Sequence, residues 1–156
     1  ELALNPRVEL LHRKLAISAQ FDHKEGLNKF NDTMRHQCSG GGQNCRALYD
    51  INVGLAAQAA AQLDNNFNYY TGMYENGKFT RLREVALSYQ LPDMLASRLR
   101  SSRALLVVAG RNLHVWTPYT GFDPEATMGN TDTQGNEEYF STPPLRFFTV
   151  RLNLTF

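Results

Sequence analysis

Four stretches of the chain alternate between apolar and polar side chains with the period of two that marks a half-buried strand. In RFFTVRLNLTF, Phe148, Val150, Leu152, Leu154 and Phe156 fall on one face, and Thr149, Arg151, Asn153 and Thr155 on the other. KLAISAQFDH sets Leu15, Ile17, Ala19 and Phe21 against Lys14, Ser18, Gln20 and Asp22. KFTRLREVALSYQLP sets Val85, Leu87, Tyr89 and Leu91 against Glu84, Ala86, Ser88 and Gln90. It stops at Pro92, which has no N–H for a ladder. ALLVVAGRNLHVW begins apolar on both faces. Placing Arg111 on the polar face leaves Leu106, Val108 and Gly110 on the apolar one together with Asn112 and His114, a conflict that a bulge near Gly110 resolves. ELALNPRVEL reads as the edge of a further strand, joined through a tight connection near His12–Arg13.

The connections are unequal. Residues 24–78 carry Gly26, three successive glycines and many Asn, the chemistry of loops. Within them VGLAAQAAAQLD predicts a short Ala-rich helix from Val53 to Leu63. NNFNYYTGMYENG follows, with Tyr69, Tyr70 and Tyr74. Residues 117–143 are also turn-rich. The 92–103 link is short, and DMLASRL predicts one or two helical turns capped by Asp93.

Alternation says that one face is dry but not what dries it. A sandwich core would serve, yet three features favour lipid. The strands run about 10 residues, which spans a bilayer at a tilt of ~45°. Short links at one end and long ones at the other match periplasmic turns and external loops. Aromatics gather toward strand ends (Tyr89, Trp116, Tyr119, Phe147, Phe148, Phe156) like an interfacial girdle. An Arg on the lipid face near the midplane costs roughly 2–4 kcal/mol, so Arg151 is expected in the lumen with Phe148 through Leu154 outward. Arg81 and Arg83 share the outward face with Val85 and are expected near headgroups, which makes the Pro92 end periplasmic. The fold class is therefore all-β: an antiparallel transmembrane β-barrel segment with long external loops. Four or five strands do not close a barrel, which needs about eight, so these are the last strands of a larger one.

Composition narrows the function classes. The 156 residues are 42% apolar and 20% charged, unlike a disordered chain, and a net charge of +1 gives no reason to expect nucleic acid. Glu1 is not a Met, which predicts a chain that begins inside a larger product or at a processing site, the first being favoured. Cys38 and Cys45 in CSGGGQNC suit a disulfide in an oxidising compartment, or two free thiols; the spacing is loose for zinc.

GKFTRLREVALSYQLP, AGRNLHVWTPYTGFDPE and TPPLRFFTVRLNLTF, in this order, resemble the C-terminal end of TonB-dependent outer-membrane receptors of the SusC/RagA-like group, and LAISAQFDHKEGLNKFN resembles a strand of the same barrel. The resemblance is weak over 32–78. It implies a barrel of about 22 strands with an N-terminal plug. Residues 1–156 would be the C-terminal part, with plug and earlier strands absent. The implied function is import of large nutrients, oligosaccharide or peptide, at the bacterial outer membrane. The implied partners are outer-membrane lipid, the rest of the barrel and plug, the TonB system through the plug, and a SusD-like lipoprotein. The final strand resembles the signal read by the barrel assembly machinery, carried by Leu152, Leu154 and Phe156. Arg151 departs from the pattern, since family members often have Gly there.

YTGFDPE, with Tyr119, Gly121, Phe122, Asp123, Pro124 and Glu125, falls on an external loop. It suits either a loop-packing or lid-contacting element or a rigid turn. Two carboxylates there are too few for a hard cation. His12, His23, His36 and His114 stand in no metal or triad spacing. Asp132, Glu137 and Glu138 read as solvated loop charges, and SGGGQN lacks the Lys-Ser/Thr of a phosphate loop. The tyrosines 69, 70 and 74 suit loop packing or stacking on sugar rings. No cofactor and no enzyme mechanism emerge. The competing class is a structural or interaction β-protein whose strands complete a sheet with a partner chain.

Overall fold

The computed structural model describes residues 1–39, 44–67, 69–127 and 136–156. In chain order the strands and α-helices are β1 (Leu2–Leu4), β2 (Arg7–Leu10), β3 (Leu15–Lys24), β4 (Asn28–Asn31), α1 (Asp32–Cys38), α2 (Arg46–Tyr49), α3 (Leu55–Phe67), β5 (Tyr74–Asn76), β6 (Phe79–Gln90), α4 (Asp93–Arg98), β7 (Arg103–Trp116), β8 (Glu137–Glu138) and β9 (Phe147–Thr155). Contacts divide them into a sheet unit (residues 1–24, 80–116 and 144–156) and a loop unit (residues 25–79 and 117–143).

The sheet unit is a meander of six strands in the order β1, β3, β6, β7, β9, with β2 also paired to β3. β1 and β2 are one edge interrupted at Asn5–Pro6; the proline cannot donate, but its carbonyl accepts from Ala19 N at 3.0 Å. The tight connection to β3 holds Leu11, His12 and Arg13 at φ of 52°, 53° and 68°. Antiparallel register sets Val8 opposite Ile17 and Leu10 opposite Leu15. It sets Val85, Leu87 and Tyr89 opposite Gly110, Val108 and Leu106. Those three face Phe148, Val150 and Leu152 of β9. Residues directly opposite share a face, so the apolar rows of neighbouring strands are continuous.

That face is uncovered. Phe148 is 72% exposed and Val150 73%, while the buried hydrophobic residues of the sheet unit are Ala16, Ala86, Ala96, Ala104 and Ala109. Large apolar side chains stand in the open and small ones are enclosed, the reverse of a water-soluble core. The other face is polar. Arg83 Nε meets Asp22 Oδ2 at 2.6 Å and Arg111 Nε meets Glu84 Oε2 at 2.5 Å. Arg151 lies opposite Val107, between Thr149 and Asn153.

The sheet unit sharpens three expectations. The bulge expected near Gly110 is present: the register shifts between Leu82 and Glu84, where two β7 residues, Asn112 and Leu113, oppose Arg83. Asn112 takes a left-handed φ of 52°, which relieves the conflict two residues later. Arg81 and Arg83 are held by the protein where headgroups were expected: Arg81 is buried, and Arg83 pairs with Asp22, which a long side chain can reach whatever face alternation assigns it. Finally, Asp93 is the first residue of α4 and Pro92 its N-cap, where its fixed φ fits without a side-chain hydrogen bond.

The loop unit is richer in helix than expected. α1 and α2 form where the Gly- and Asn-rich composition predicts irregular chain, and the Ala-rich helix runs from Leu55 to Phe67 rather than Val53 to Leu63. A small sheet has β4 antiparallel to β5 and parallel to β8. Asn31 caps α1, its Oδ1 accepting from Met34 N at 2.9 Å. The core gathers Cys38, Cys45, Ala47, Ala60, Ala61 and Met73. Gly72 is required there, since a Cβ at that position would stand 2.5 Å from Ala60 Cβ.

Candidate functional site

The YTGFDPE segment lies in the loop unit, knotted to β4 and α1 by buried polar groups. Glu138 is fully buried, and its carboxylate accepts from Thr33 Oγ1 at 3.0 Å, Ser141 N at 3.0 Å and Tyr119 Oη at 3.2 Å. Burial first, then the Glu138 charge and hydrogen bond, push the Tyr119 phenol far above its ordinary value, so it remains a donor. Glu75 accepts from Thr120 N and Thr120 Oγ1, both at 2.8 Å, and from Asn31 Nδ2 at 2.9 Å. Lys29, also fully buried, donates Nζ to the Ala126 carbonyl.

Asp123 and Pro124 are buried, and Asp123 Oδ1 accepts from Glu125 N at 2.8 Å, an Asx turn. Gly121 is enforced by Tyr119, whose ring would meet a Cβ at 2.5 Å. Phe122 and Glu125 are exposed. The motif is thus a rigid turn anchored by Tyr119 and Asp123 that presents Phe122. Tyr119 is consequently no girdle residue, and Glu138 is not a solvated charge: β8 pairs with β4 and carries it inside. Asp132 lies outside the described residues.

Beside the knot is a cavity of about 690 Å³. Met34, Val53, Ala56 and Ala57 make its apolar wall, and Asn31, Gln37, Glu75 and Thr120 its polar side. Cys38 and Cys45 are joined by a disulfide, both buried, and Cys45 reaches the cavity wall.

A second cluster escaped sequence reading. Asp32, at the start of α1, meets Arg35 Nη1 at 2.7 Å and His36 Nδ1 at 3.3 Å. Arg35 lies 4.6 Å from the Tyr70 ring centroid, and His36 stacks on Tyr139 at 4.8 Å. Asp64 of α3 is buried with neither oxygen hydrogen-bonded among the described residues. Burial raises its pKa against the pull of Arg35 and His36. Glu137 is raised by burial and then by Asp32. The i, i+3, i+4 spacing of Asp32, Arg35 and His36 was the available signal for the first three. Nothing local announces Asp64.

Of the other tyrosines, Tyr74 stacks on Phe30 at 4.9 Å and Tyr69 is exposed. His23 Nδ1 lies 2.8 Å from Thr80 Oγ1, and His114 meets Trp116 edge to face with ring centroids 4.4 Å apart. Among the described residues no His, Cys, Asp and Glu group is arranged to hold a metal. Leu152, Leu154 and Phe156 belong to the sheet unit, apart from the loop motif. Leu152 faces Leu106, Leu154 faces Ala104, and Phe156 is 85% exposed. No helix among the described residues is long and apolar enough to cross a membrane, which leaves strands as the spanning elements if any span.

No family model matches the chain. TonB-dependent receptor P3 of Formosa agariphila is 34% identical over 86 residues, 52% of this chain and 9% of that protein. Solved structures of the RagAB peptide importer superpose over 92% of this chain and 16% of theirs. The open-open state has a TM-score of 0.67 at 24% identity, which speaks for the fold alone, and the closed-closed state 0.68 at 26%. The chain thus spans less than a tenth of the curated relative and about a sixth of the solved chains. The resemblance to TonB-dependent receptors of the SusC/RagA-like group stands, and with it the bacterial outer membrane as location.

Proposed function

We propose that the sheet unit is part of the wall of a TonB-dependent importer of large nutrients, and that residues 1–156 form the C-terminal portion of a barrel whose plug and earlier strands lie elsewhere in a longer protein. The uncovered apolar face, with Phe148, Val150 and Leu152 in register with Gly110, Val108 and Leu106, carries this reading. A closed barrel wetted outside by lipid removes both the exposed face and the open edges at β1–β2 and β9. The polar face with Arg111–Glu84 and Arg83–Asp22 then lines the lumen.

The loop unit lies outside the cell in this reading, and the cargo is a peptide or an oligosaccharide. Peptide is favoured by the likeness to the RagAB peptide importer. A SusD-like lipoprotein would meet the external loops, the TonB system would act through the plug, and the barrel assembly machinery would read Leu152, Leu154 and Phe156. The test is fractionation with uptake: the protein should sediment with outer membranes and leave them only in detergent. Labelled oligopeptide uptake should be lost when either this gene or TonB is deleted. A protein soluble without detergent, or uptake unchanged without TonB, overturns it.

A further inference from the structure

The two short turns of the sheet unit lie side by side, since Gln90 N donates to the Lys14 carbonyl at 2.7 Å. Between them, residues 11–14 and 91–103 carry five permanent cations, Arg13, Lys14, Arg98, Arg100 and Arg103, against the single carboxylate of Asp93. The whole chain has a net charge of only +1, so positive charge is concentrated at this end. All five cations are exposed. Arg13 has one further neighbour of opposite sign, Glu9 at 3.6 Å, itself shared with Arg7 at 3.0 Å.

The backbone presents these cations. Arg13 and Arg100 both take left-handed φ, at 68° and 53°, a conformation that non-glycine residues rarely adopt. Apolar side chains stand among them: Leu11, Met94, Leu95 and Leu99 are exposed, as is Phe156 beyond the end of β9. Ser102 N donates to the Thr155 carbonyl at 2.7 Å, which ties that end of β9 to the same rim.

We infer that this rim binds the phosphate headgroups of anionic phospholipid in the membrane leaflet nearest the short turns. The inference rests on the sheet being a membrane wall. Cations mixed with exposed apolar residues are the composition of an interfacial anchor: the apolar groups enter the acyl boundary while the guanidinium groups pair with phosphate. The rim also ends the uncovered apolar face of β6, β7 and β9, so a lipid lying against that face ends with its headgroup at the turn that carries Arg98 and Arg100, while Arg103 stands opposite Thr155 on the neighbouring polar row. Guanidinium matches phosphate by parallel hydrogen bonds, which a zwitterionic headgroup answers less strongly because its own cation competes.

The protein, released in mild detergent, is offered phosphatidylglycerol and phosphatidylcholine in equal amounts, and retained lipid is counted by native mass spectrometry. Phosphatidylglycerol should be retained over phosphatidylcholine by about tenfold, and the preference should collapse in high salt. Joint replacement of Arg13, Arg98, Arg100 and Arg103 by Gln should abolish it. Lys24→Gln with Arg151→Gln, which removes two cations away from the rim, should leave it intact. Equal retention of the two lipids, an undiminished preference in the fourfold variant, or displacement of phosphatidylglycerol by lipopolysaccharide overturns the inference. If the protein inserts into vesicles yet shows no preference, only the headgroup site fails. If it never enters the membrane, the barrel reading fails with it.

Discussion

Gly110 faces Phe148 across the β7–β9 pair, and the aromatic ring lies where a Cβ of residue 110 would stand: 2.8 Å from Phe148 Cε1 and 2.9 Å from Leu113 Cδ2. A residue with no side chain thus lets an aromatic ring cover the backbone on the exposed apolar face, one residue before Arg111 and two before the bulge at Asn112. Gly110→Val should force the ring away and cost about 1–3 kcal/mol, as overpacking does. Adding Phe148→Ala should return part of that loss. The heat-dependent gel shift of the membrane-extracted protein reads both. Equal losses in the single and double variants would show that the ring does not depend on the glycine.

The buried carboxylate of Glu138 accepts from Thr33 Oγ1, Tyr119 Oη and Ser141 N, and so ties α1, the YTGFDPE turn and β8 together. Tyr119→Phe removes one of these donors and should destabilise the loop unit by about 1–3 kcal/mol. The measurement is the rate of limited proteolysis within residues 25–79. An unchanged rate would mean that the knot is ornamental to the fold of the loop.

Asp64 carries a pH dependence of known sign. Burial holds its folded pKa above the ordinary carboxylate value. Such a group binds its proton more tightly when folded. Its contribution to stability is therefore complete below the ordinary Asp pKa of about 4 and is lost as pH rises through the folded value. Glu137, raised by burial and Asp32, acts with the same sign. Asp64→Asn should make the loop unit more resistant to proteolysis at pH 7 than the parent, with the advantage vanishing in acid. Parallel curves across pH would remove Asp64 from the account.

Cys38 and Cys45 close a loop of seven intervening steps within the core of the loop unit. In the chain-entropy account so short a loop contributes roughly 2–3 kcal/mol. Cys38→Ser with Cys45→Ser should lower the protease resistance of residues 25–79 while leaving membrane extraction unchanged. Mass tagging of thiols before and after reduction shows whether the bond forms in the cell envelope. Free thiols in the native protein would remove it.

Phe156 and Leu154 are proposed to address the chain to the assembly machinery. Phe156→Ala should lower the amount of protein in the outer membrane several-fold without changing the heat shift of what arrives there. Quantitative blotting of membrane fractions measures this, and normal abundance would leave Phe156 as an interface anchor alone.

Much of the sheet unit was legible because a strand's faces follow from period-two alternation. Arg151 with Thr149 and Asn153, and Phe148 with Val150 and Leu152, were separable on sight. The partner of Arg83 was not, since a long side chain can find Asp22 61 residues away. The bulge near Gly110 was legible from the clash of phases along β7, but not that Asn112, which also tolerates left-handed φ, would absorb the extra length. In the loop unit Gly121 and Asp123-Pro124 announced a turn, while Glu138 looked like any loop carboxylate until β8 paired with β4.

The amino-acid order by itself determined the strands, their two unlike faces, the Ala-rich helix and the turn at YTGFDPE, because each rests on contacts between near neighbours in the chain. Only the tertiary structure decided that Glu138 is enclosed by Thr33 and Tyr119, that Asp64 is buried near Arg35, and that Arg13 and Arg100 share one rim. Those relationships join residues far apart in sequence. Their energies depend on which solvent or counter-charge the fold brings to them, a property that no local pattern records.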